Sequence, residues 1–238
     1  AVNAIRDAAK DPVLEFELDL DLRPEGKKGP IVRSMESYRS YYEKWGEIWE
    51  AQALLRSRPI FGSSKLREEF EAMTNQYRYP ESITDASIRE IRRIKARVEN
   101  ERLPMGADPA RHLKLGRGSI SDVEWLVQLY QLRFGNDYES IQTPFTLTAI
   151  EEMKKVGLID SGDADTLRDA WSLASSIRSG IVLATGKKND TLPNDHRVLE
   201  SIRQLLHIEG IETGAELEQA YLSASRKARS VFEELFFA

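Results

Sequence analysis

Leu18-Asp19-Leu20-Asp21-Leu22-Arg23-Pro24 carries the most pointed chemistry in this sequence. Side chains alternate along a strand, so Asp19 and Asp21 fall on one face. Two carboxylates side by side repel each other, and a cation relieves the repulsion. Mg²⁺ suits such a pair, because it takes a few carboxylates and fills its remaining positions with phosphate oxygens and water. A D-x-D on a strand is therefore a candidate metal platform for nucleotidyl transfer. The same pattern also fits the wet face of an ordinary strand. Arg23 follows directly, and its planar fork matches phosphate. An ion pair with Asp21 or Glu25 explains it equally well.

Further cations stand at two other places. Arg56 and Arg58 close a helical pattern, where they could meet a nucleotide or simply favour the negative end of the helix dipole. Lys114 and Arg117 flank the Gly116-Arg117-Gly118 turn before another helix. A helix N-terminus can hold an anion, and a tight packing loop reads the same way. Asp122 and Glu124 sit in the first helical turn, where acids are favoured without any catalytic role. His112, His196 and His207 lack metal-ligand spacing and read as structural or exposed.

The elements that must position these groups follow from periodicity. Leu14, Phe16, Leu18, Leu20 and Leu22 alternate with Glu15, Glu17, Asp19 and Asp21, the period of a half-buried strand that Pro24 ends. From Ser34 the period changes to three and four. Tyr38, Tyr41, Tyr42, Trp45, Trp49, Gln52 and Ala53 predict one long helix to about Arg56, with the aromatic stripe as core. Pro59 and Gly62 close it. Helices are then expected over about Lys65 to Gln76, and from Thr84 or Asp85 through Val98. His112 to Leu115 reads as a short extended piece. Ser121 to Glu124 has the capping-box form, with Gly135 as the stop of the helix behind it. Further helices are expected over Thr146 to Val156, Asp163 to Leu183 and His196 to His207, and from a second capping box at Thr213 to Glu216 onward. The fold class is mainly α: an antiparallel helical bundle with a short β remnant in front.

Composition narrows the function. The chain has 238 residues, a net charge of −5, 41% hydrophobic and 31% charged residues, and no cysteine. Disulfides and thiolate metal sites are excluded. No apolar run approaches the roughly 20 residues that a membrane helix requires. Mild acidity argues against generic nucleic-acid binding. Arg89, Arg92, Arg93, Lys95, Arg97 and Arg102 are interleaved with Glu90, Glu99 and Glu101, which reads as a solvated helix face. The sequence opens at Ala1 without methionine and reads as a piece of something longer.

Three motifs together carry a resemblance. D-L-D-L-R-P-E-G with G-P-I-V-R-S resembles the end of the nucleotidyltransferase domain in glutamine synthetase adenylyltransferases. Trp49-Glu50-Ala51-Gln52-Ala53-Leu54-Leu55-Arg56-Ser57-Arg58 is similar to that family's W-E-x-Q-A-L-x-R-A-R helix, with Ser57 in place of the usual Ala. Lys114 to Trp125 is similar to its K-x-G-x-G-G-[IL]-x-[DE]-[IV]-E-[FW] segment, with Ser119 departing from the second Gly of the pair. The likeness runs through nearly the whole chain, which is why the front reads as the tail of an α/β nucleotidyltransferase domain (residues 1–62) and the rest as the helical domain that follows (residues 63–238).

The resemblance implies a bifunctional enzyme with two nucleotidyltransferase copies. One transfers AMP from ATP, with Mg²⁺, to a tyrosine of glutamine synthetase; the other removes it. E-x-Q-A-L looks like the attaching, C-terminal copy, since the removing copy more often reads E-R-Y-A. Such a site needs a G-S-x-x-D-x-D pair and a third carboxylate from a later strand. The pair is missing here, so the resemblance makes Asp19, with Asp21 second, the third carboxylate, helping to bind a metal and to orient the tyrosine hydroxyl. Arg23, Arg56, Arg58, Lys114 and Arg117 are the nucleotide or phosphate candidates. The fragment alone is expected to be inactive. Implied partners are glutamine synthetase, a PII-type regulatory protein and glutamine as effector, in the cytoplasm, with no nucleic acid and no membrane. Two other readings stay open: a helical module that only docks glutamine synthetase or the regulator, and the deadenylylating copy.

Overall fold

The computed structural model describes residues 19–20 and 22–238. Most of the strand expected over Leu14 to Leu22 lies outside the described residues, and so does Asp21. Among the described residues there are nine α-helices, and the one β feature is an isolated antiparallel bridge between His112 and Thr191. The chain is a helical bundle, as its periodicity required.

The front differs from the single long helix expected from Ser34. Ser34 does cap a helix, its hydroxyl accepting the Ser37 N–H at 3.2 Å. That helix, α1 (Met35–Trp45), stops at Gly46, and α2 (Ile48–Leu54) begins two residues later. At Gly46 the chain passes so close to the preceding turn that an added Cβ would lie 2.6 Å from the Tyr42 carbonyl oxygen. Glu47 restarts the helix, its N–H donating to Glu50 at 3.1 Å. A break this short barely disturbs a three-and-four pattern, which is why the spacing ran through it. The aromatic stripe is split accordingly: Tyr42 is buried, while Trp45 is 70% and Trp49 43% exposed.

Side-chain caps mark most of the remaining starts, each satisfying an amide that lacks a helical partner. Ser63 opens α3 (Ser64–Arg78) and Thr84 opens α4 (Asp85–Glu101). Helix α5 (Ile120–Phe134) departs from expectation, because Ser121 is already inside it and forms no capping box. Its N-cap is Ser119, whose hydroxyl donates to the Leu113 carbonyl instead. Helix α6 (Thr146–Lys155) leads to α7 (Ser161–Thr185), capped by Asp160 and longer at both ends than expected. Asp195 caps α8 (His196–Leu206). Before α9 (Gly214–Phe237) the predicted capping box forms in both directions, with Glu216 N–H to Thr213 at 3.2 Å and Thr213 N–H to Glu216 at 3.1 Å.

Two apolar clusters hold the bundle. One joins α2, α4, α5, α6, the front of α7 and the end of α9 through Leu55, Ile91, Leu129, Met153, Leu167 and Phe232. The other joins the rear of α7, α8 and the front of α9 through Ile177, Ile202, Leu217 and Tyr221. Val123, Leu126, Leu129 and Leu132 of α5 are fully buried, so α5 is the central helix. Burying each leucine contributes about 1.5–3 kcal/mol. Helices α7 and α9 run through both clusters, and Trp171 packs against both. The front helices are thus pinned to the same core that shapes the rest.

Candidate functional site

The front cleft, of about 240 Å³, is lined by Leu22, Arg23, Trp49, Glu50, Arg56 and their neighbours. It brings two candidate phosphate ligands, Arg23 and Arg56, to one concavity. Arg23 is held by carbonyls: its guanidinium donates to Gly29 at 3.0 Å and Lys27 at 3.1 Å, and also to Leu20. It thereby ties the Leu20 carbonyl, one residue beyond Asp19, to the 23–29 turn. The expected pairing with Glu25 is made by Arg33 instead. Asp19 is exposed.

Helix α2 is anchored from three sides. Buried Glu50 accepts the Tyr41 hydroxyl at 2.9 Å. Burial, then that hydrogen bond, push the Tyr41 hydroxyl pKa up. Gln52 donates to Gln128 of α5 at 2.7 Å. Arg78 reaches from α3 to the Ser57 carbonyl at 2.9 Å and the Leu54 carbonyl at 3.3 Å, satisfying carbonyls at the end of the helix. Nothing in the spacing singled out Arg78. Arg56 does not end a helix as expected, since α2 stops at Leu54. Its guanidinium donates to Glu124 and to Thr146, each at 3.3 Å. Arg58 is exposed beyond it.

The Gly116-Arg117-Gly118 turn is a packing device. Gly118 has φ +69° and meets α9 so closely that a Cβ would fall 1.8 Å from the Ser225 carbonyl oxygen. Only glycine takes that backbone conformation at that distance without strain. Its N–H donates to Asp122 at 2.7 Å. The anion at this helix start is therefore the chain's own carboxylate. Asp122 also meets Lys95 at 2.5 Å and Arg229 at 2.9 Å, and Glu99 meets Arg229 at 3.2 Å and Arg117 at 3.5 Å. Lys95 and Asp122 are each 1% exposed, so this is a buried ionic knot tying α4, α5 and α9. Burial opposes the Arg229 charge, but Asp122, Glu233 and Glu99 outweigh it and hold its proton more tightly than usual. The helical period places Lys95 on the apolar face of α4 with Ile88 and Ile91, the one signal that could have marked it as buried.

Lys114 is exposed and lies in neither the front cleft nor the knot. It lines a second cleft with Glu124, Trp171, Arg178 and Asp190. Arg56 lines the front cleft and Glu124 the second, so their ion pair is the seam between the two. Beneath Lys114, buried His112 accepts the Leu115 N–H at 3.0 Å and the Lys114 N–H at 3.3 Å through Nδ1, a structural role. His196 and His207 are exposed. Among the described residues no group of three or more His, Asp or Glu is placed to hold a metal ion, and no helix is long and apolar enough to cross a membrane.

Comparison with known proteins bears on this arrangement at both ends of the chain. A family model described as glutamate-ammonia ligase adenylyltransferase matches residues 2–73. A second, described as GlnD PII-uridylyltransferase, matches residues 87–236. A bifunctional glutamine synthetase adenylyltransferase/adenylyl-removing enzyme of Leifsonia xyli subsp. xyli is 50% identical over 96% of this chain and 22% of its own length. Proteins of the same name from Mycolicibacterium smegmatis (44% identical, 95% of this chain, 22% of theirs) and Streptomyces coelicolor (43%, 97% and 23%) are also similar. The chain therefore spans less than a quarter of the length of these relatives. It belongs to the family whose model, described as GlnD PII-uridylyltransferase, covers its helical body, and over nearly its whole length it is similar to part of the bifunctional glutamine synthetase adenylyltransferase/adenylyl-removing enzymes.

Proposed function

We propose that this chain is the C-terminal part of the adenylylating half of such an enzyme, which transfers AMP from ATP to a tyrosine of glutamine synthetase. The observation that carries the reading is identity of 50% sustained over 96% of the chain with a protein of that name. On this reading residues 1–62 end the nucleotidyltransferase domain and residues 63–238 form the helical domain behind it. The exposure of Trp45, Ile60 and Phe61, at 70%, 83% and 93%, supports an incomplete front, because apolar side chains that open to water are normally covered by a partner.

The described residues do not by themselves build a metal site, so Asp19 would hold Mg²⁺ only together with carboxylates contributed from elsewhere in the enzyme. Asp19 would offer its carboxylate to the attacking tyrosine hydroxyl, with Asp21 second. Arg56 would bond phosphate oxygens in the front cleft. Arg23 would hold the Asp19 loop through its three carbonyl contacts. Arg58, Lys114 and Arg117 are weaker nucleotide candidates: Arg117 is turned to Glu99, and Lys114 to the other cleft. A PII-type regulator and glutamine as effector, and a cytoplasmic setting, belong to the same proposal.

The test is transfer of labelled AMP to glutamine synthetase by a protein extended upstream through the missing sheet, beside this chain. We expect transfer by the extended protein, loss of it in Asp19→Asn, and none by the chain alone. Turnover by the chain alone would sink the claim that essential carboxylates lie upstream. Transfer that survives both Asp19→Asn and Asp21→Asn would remove the D-x-D from the mechanism. If the extended protein only releases AMP from modified glutamine synthetase, this is the removing copy. If it binds glutamine synthetase or the regulator without either reaction, the docking module is right.

A further inference from the structure

Glu25 is the strained point of the front loop. Proline holds φ negative, so Pro24 followed by Glu25 at φ +64° makes a type II turn, closed by the Gly26 N–H donating to the Arg23 carbonyl at 2.8 Å. The third position of such a turn normally falls to glycine. A side chain there raises the backbone energy. The conformation persists only where its surroundings over-determine it.

Here they do so from two sides. The Glu25 carboxylate pairs with Arg33, whose side chain is only 8% exposed. The Arg33 guanidinium lies over the Tyr41 ring, 5.5 Å from its centre, and donates to the Ser37 hydroxyl at 3.3 Å, so it is bedded on α1. The Glu25 N–H donates to the Tyr41 hydroxyl at 3.4 Å, and Tyr41 donates in turn to Glu50 of α2 at 2.9 Å. Contacts therefore run from the turn to α1 and on to α2, whose end lies two residues before Arg56. On its other side the same turn holds the Leu20 carbonyl through Arg23, one residue beyond Asp19. Glycine at position 25 would form the turn with less strain but could not reach Arg33. What the glutamate adds is a fixed seat for the turn.

We propose that Glu25, braced by Arg33 and Tyr41, is a positioning residue for AMP transfer. It seats the 23–29 turn on α1 and so fixes, through Arg23, where the Asp19 segment stands relative to Arg56. This role rests on the AMP-transfer reading.

The test uses the protein extended upstream through the missing sheet, with steady-state transfer and thermal melts on the same preparations. In Glu25→Gly/Arg33→Met the turn loses its strain and no buried charge is stranded. We expect this double variant to melt no lower than the parent, while kcat falls about 10- to 100-fold, as for a misplaced reacting group, and KM for ATP stays near the parent value. Glu25→Gln keeps an acceptor oxygen for Arg33 and should restore part of kcat. Tyr41→Phe removes only the hydroxyl that holds the Glu25 N–H, and should lower kcat in the same direction by less. The proposal is overturned if the double variant, or Tyr41→Phe where the double variant does not fold, transfers at the parent rate. It is also overturned if melting temperature falls in step with kcat, since the turn is then structural only. An unmodified extended protein that transfers no AMP overturns the AMP-transfer reading, and this role with it.

Discussion

Replacing Asp122 with Asn removes the charge at the centre of the ionic knot while keeping the side chain's shape. Lys95 and Asp122 are each 1% exposed, so neither can turn to water when its partner goes. Removing one partner of a buried pair typically costs about 3–5 kcal/mol, because a buried charge is left uncompensated. Here Glu99 remains 3.6 Å from Lys95 and 3.2 Å from Arg229, which offsets part of the loss. The expected value is therefore near the low end, about 3 kcal/mol. Lys95→Met is the informative counterpart. It leaves Asp122 with Arg229 at 2.9 Å and the Gly118 N–H at 2.7 Å, so no charge is stranded. Its cost should stay below about 1.5 kcal/mol, as for other shape-conserving swaps. Urea unfolding reads both. With a slope near 2 kcal/mol/M, Asp122→Asn should lower the midpoint by roughly 1.5 M and Lys95→Met by less than half of that. Equal losses in the two variants, or an Asp122→Asn protein as stable as the parent, would refute the assignment of Asp122 as the hub.

Three further outcomes follow from other parts of the structure. Gly118→Ala should destabilise by more than about 2 kcal/mol, since strain at positive φ adds to the clash with Ser225, whereas Gly157→Ala, at φ +75° but in open space, should cost about 1 kcal/mol; thermal melts separate them. Arg78→Ala should cost about 1–3 kcal/mol and speed amide exchange over residues 53–58, because the carbonyls at the end of α2 lose their donor. Burial lowers the His112 pKa below its ordinary 6.5, so its contribution to stability is complete above that value and is lost as pH falls through the depressed folded-state pKa. Comparing urea midpoints of the parent and His112→Asn between pH 8 and 5 should show their gap narrowing on the acid side; a constant gap would remove the histidine from the pH response.

Local chemistry decided most of the elements. A serine, threonine or aspartate before an apolar period satisfies helix amides wherever it stands, so Ser34, Thr84 and Thr213 marked their helices without any tertiary information. The three motifs were enough to place the family, because they report residue identity at fixed spacing. Backbone approaches and partners that spacing does not show decided the rest. Gly46 breaks the first helix through its closeness to Tyr42, and Ser119 displaces the expected cap at Ser121 by bonding to Leu113, six residues back and outside the helix. Arg78 and Arg229 find their partners on other elements, and no window of sequence contains both ends of those bonds. The same holds for the two clefts: Arg23 and Arg56 line one, and Lys114 lines the other with residues of α7, only after packing has brought separate segments together. Sequence alone determined the helical class, the family and the identity of the acidic and basic candidates. Only the tertiary structure decided which of those charges face a cleft and which are consumed inside the bundle, because desolvation and pairing depend on neighbours that are distant along the chain.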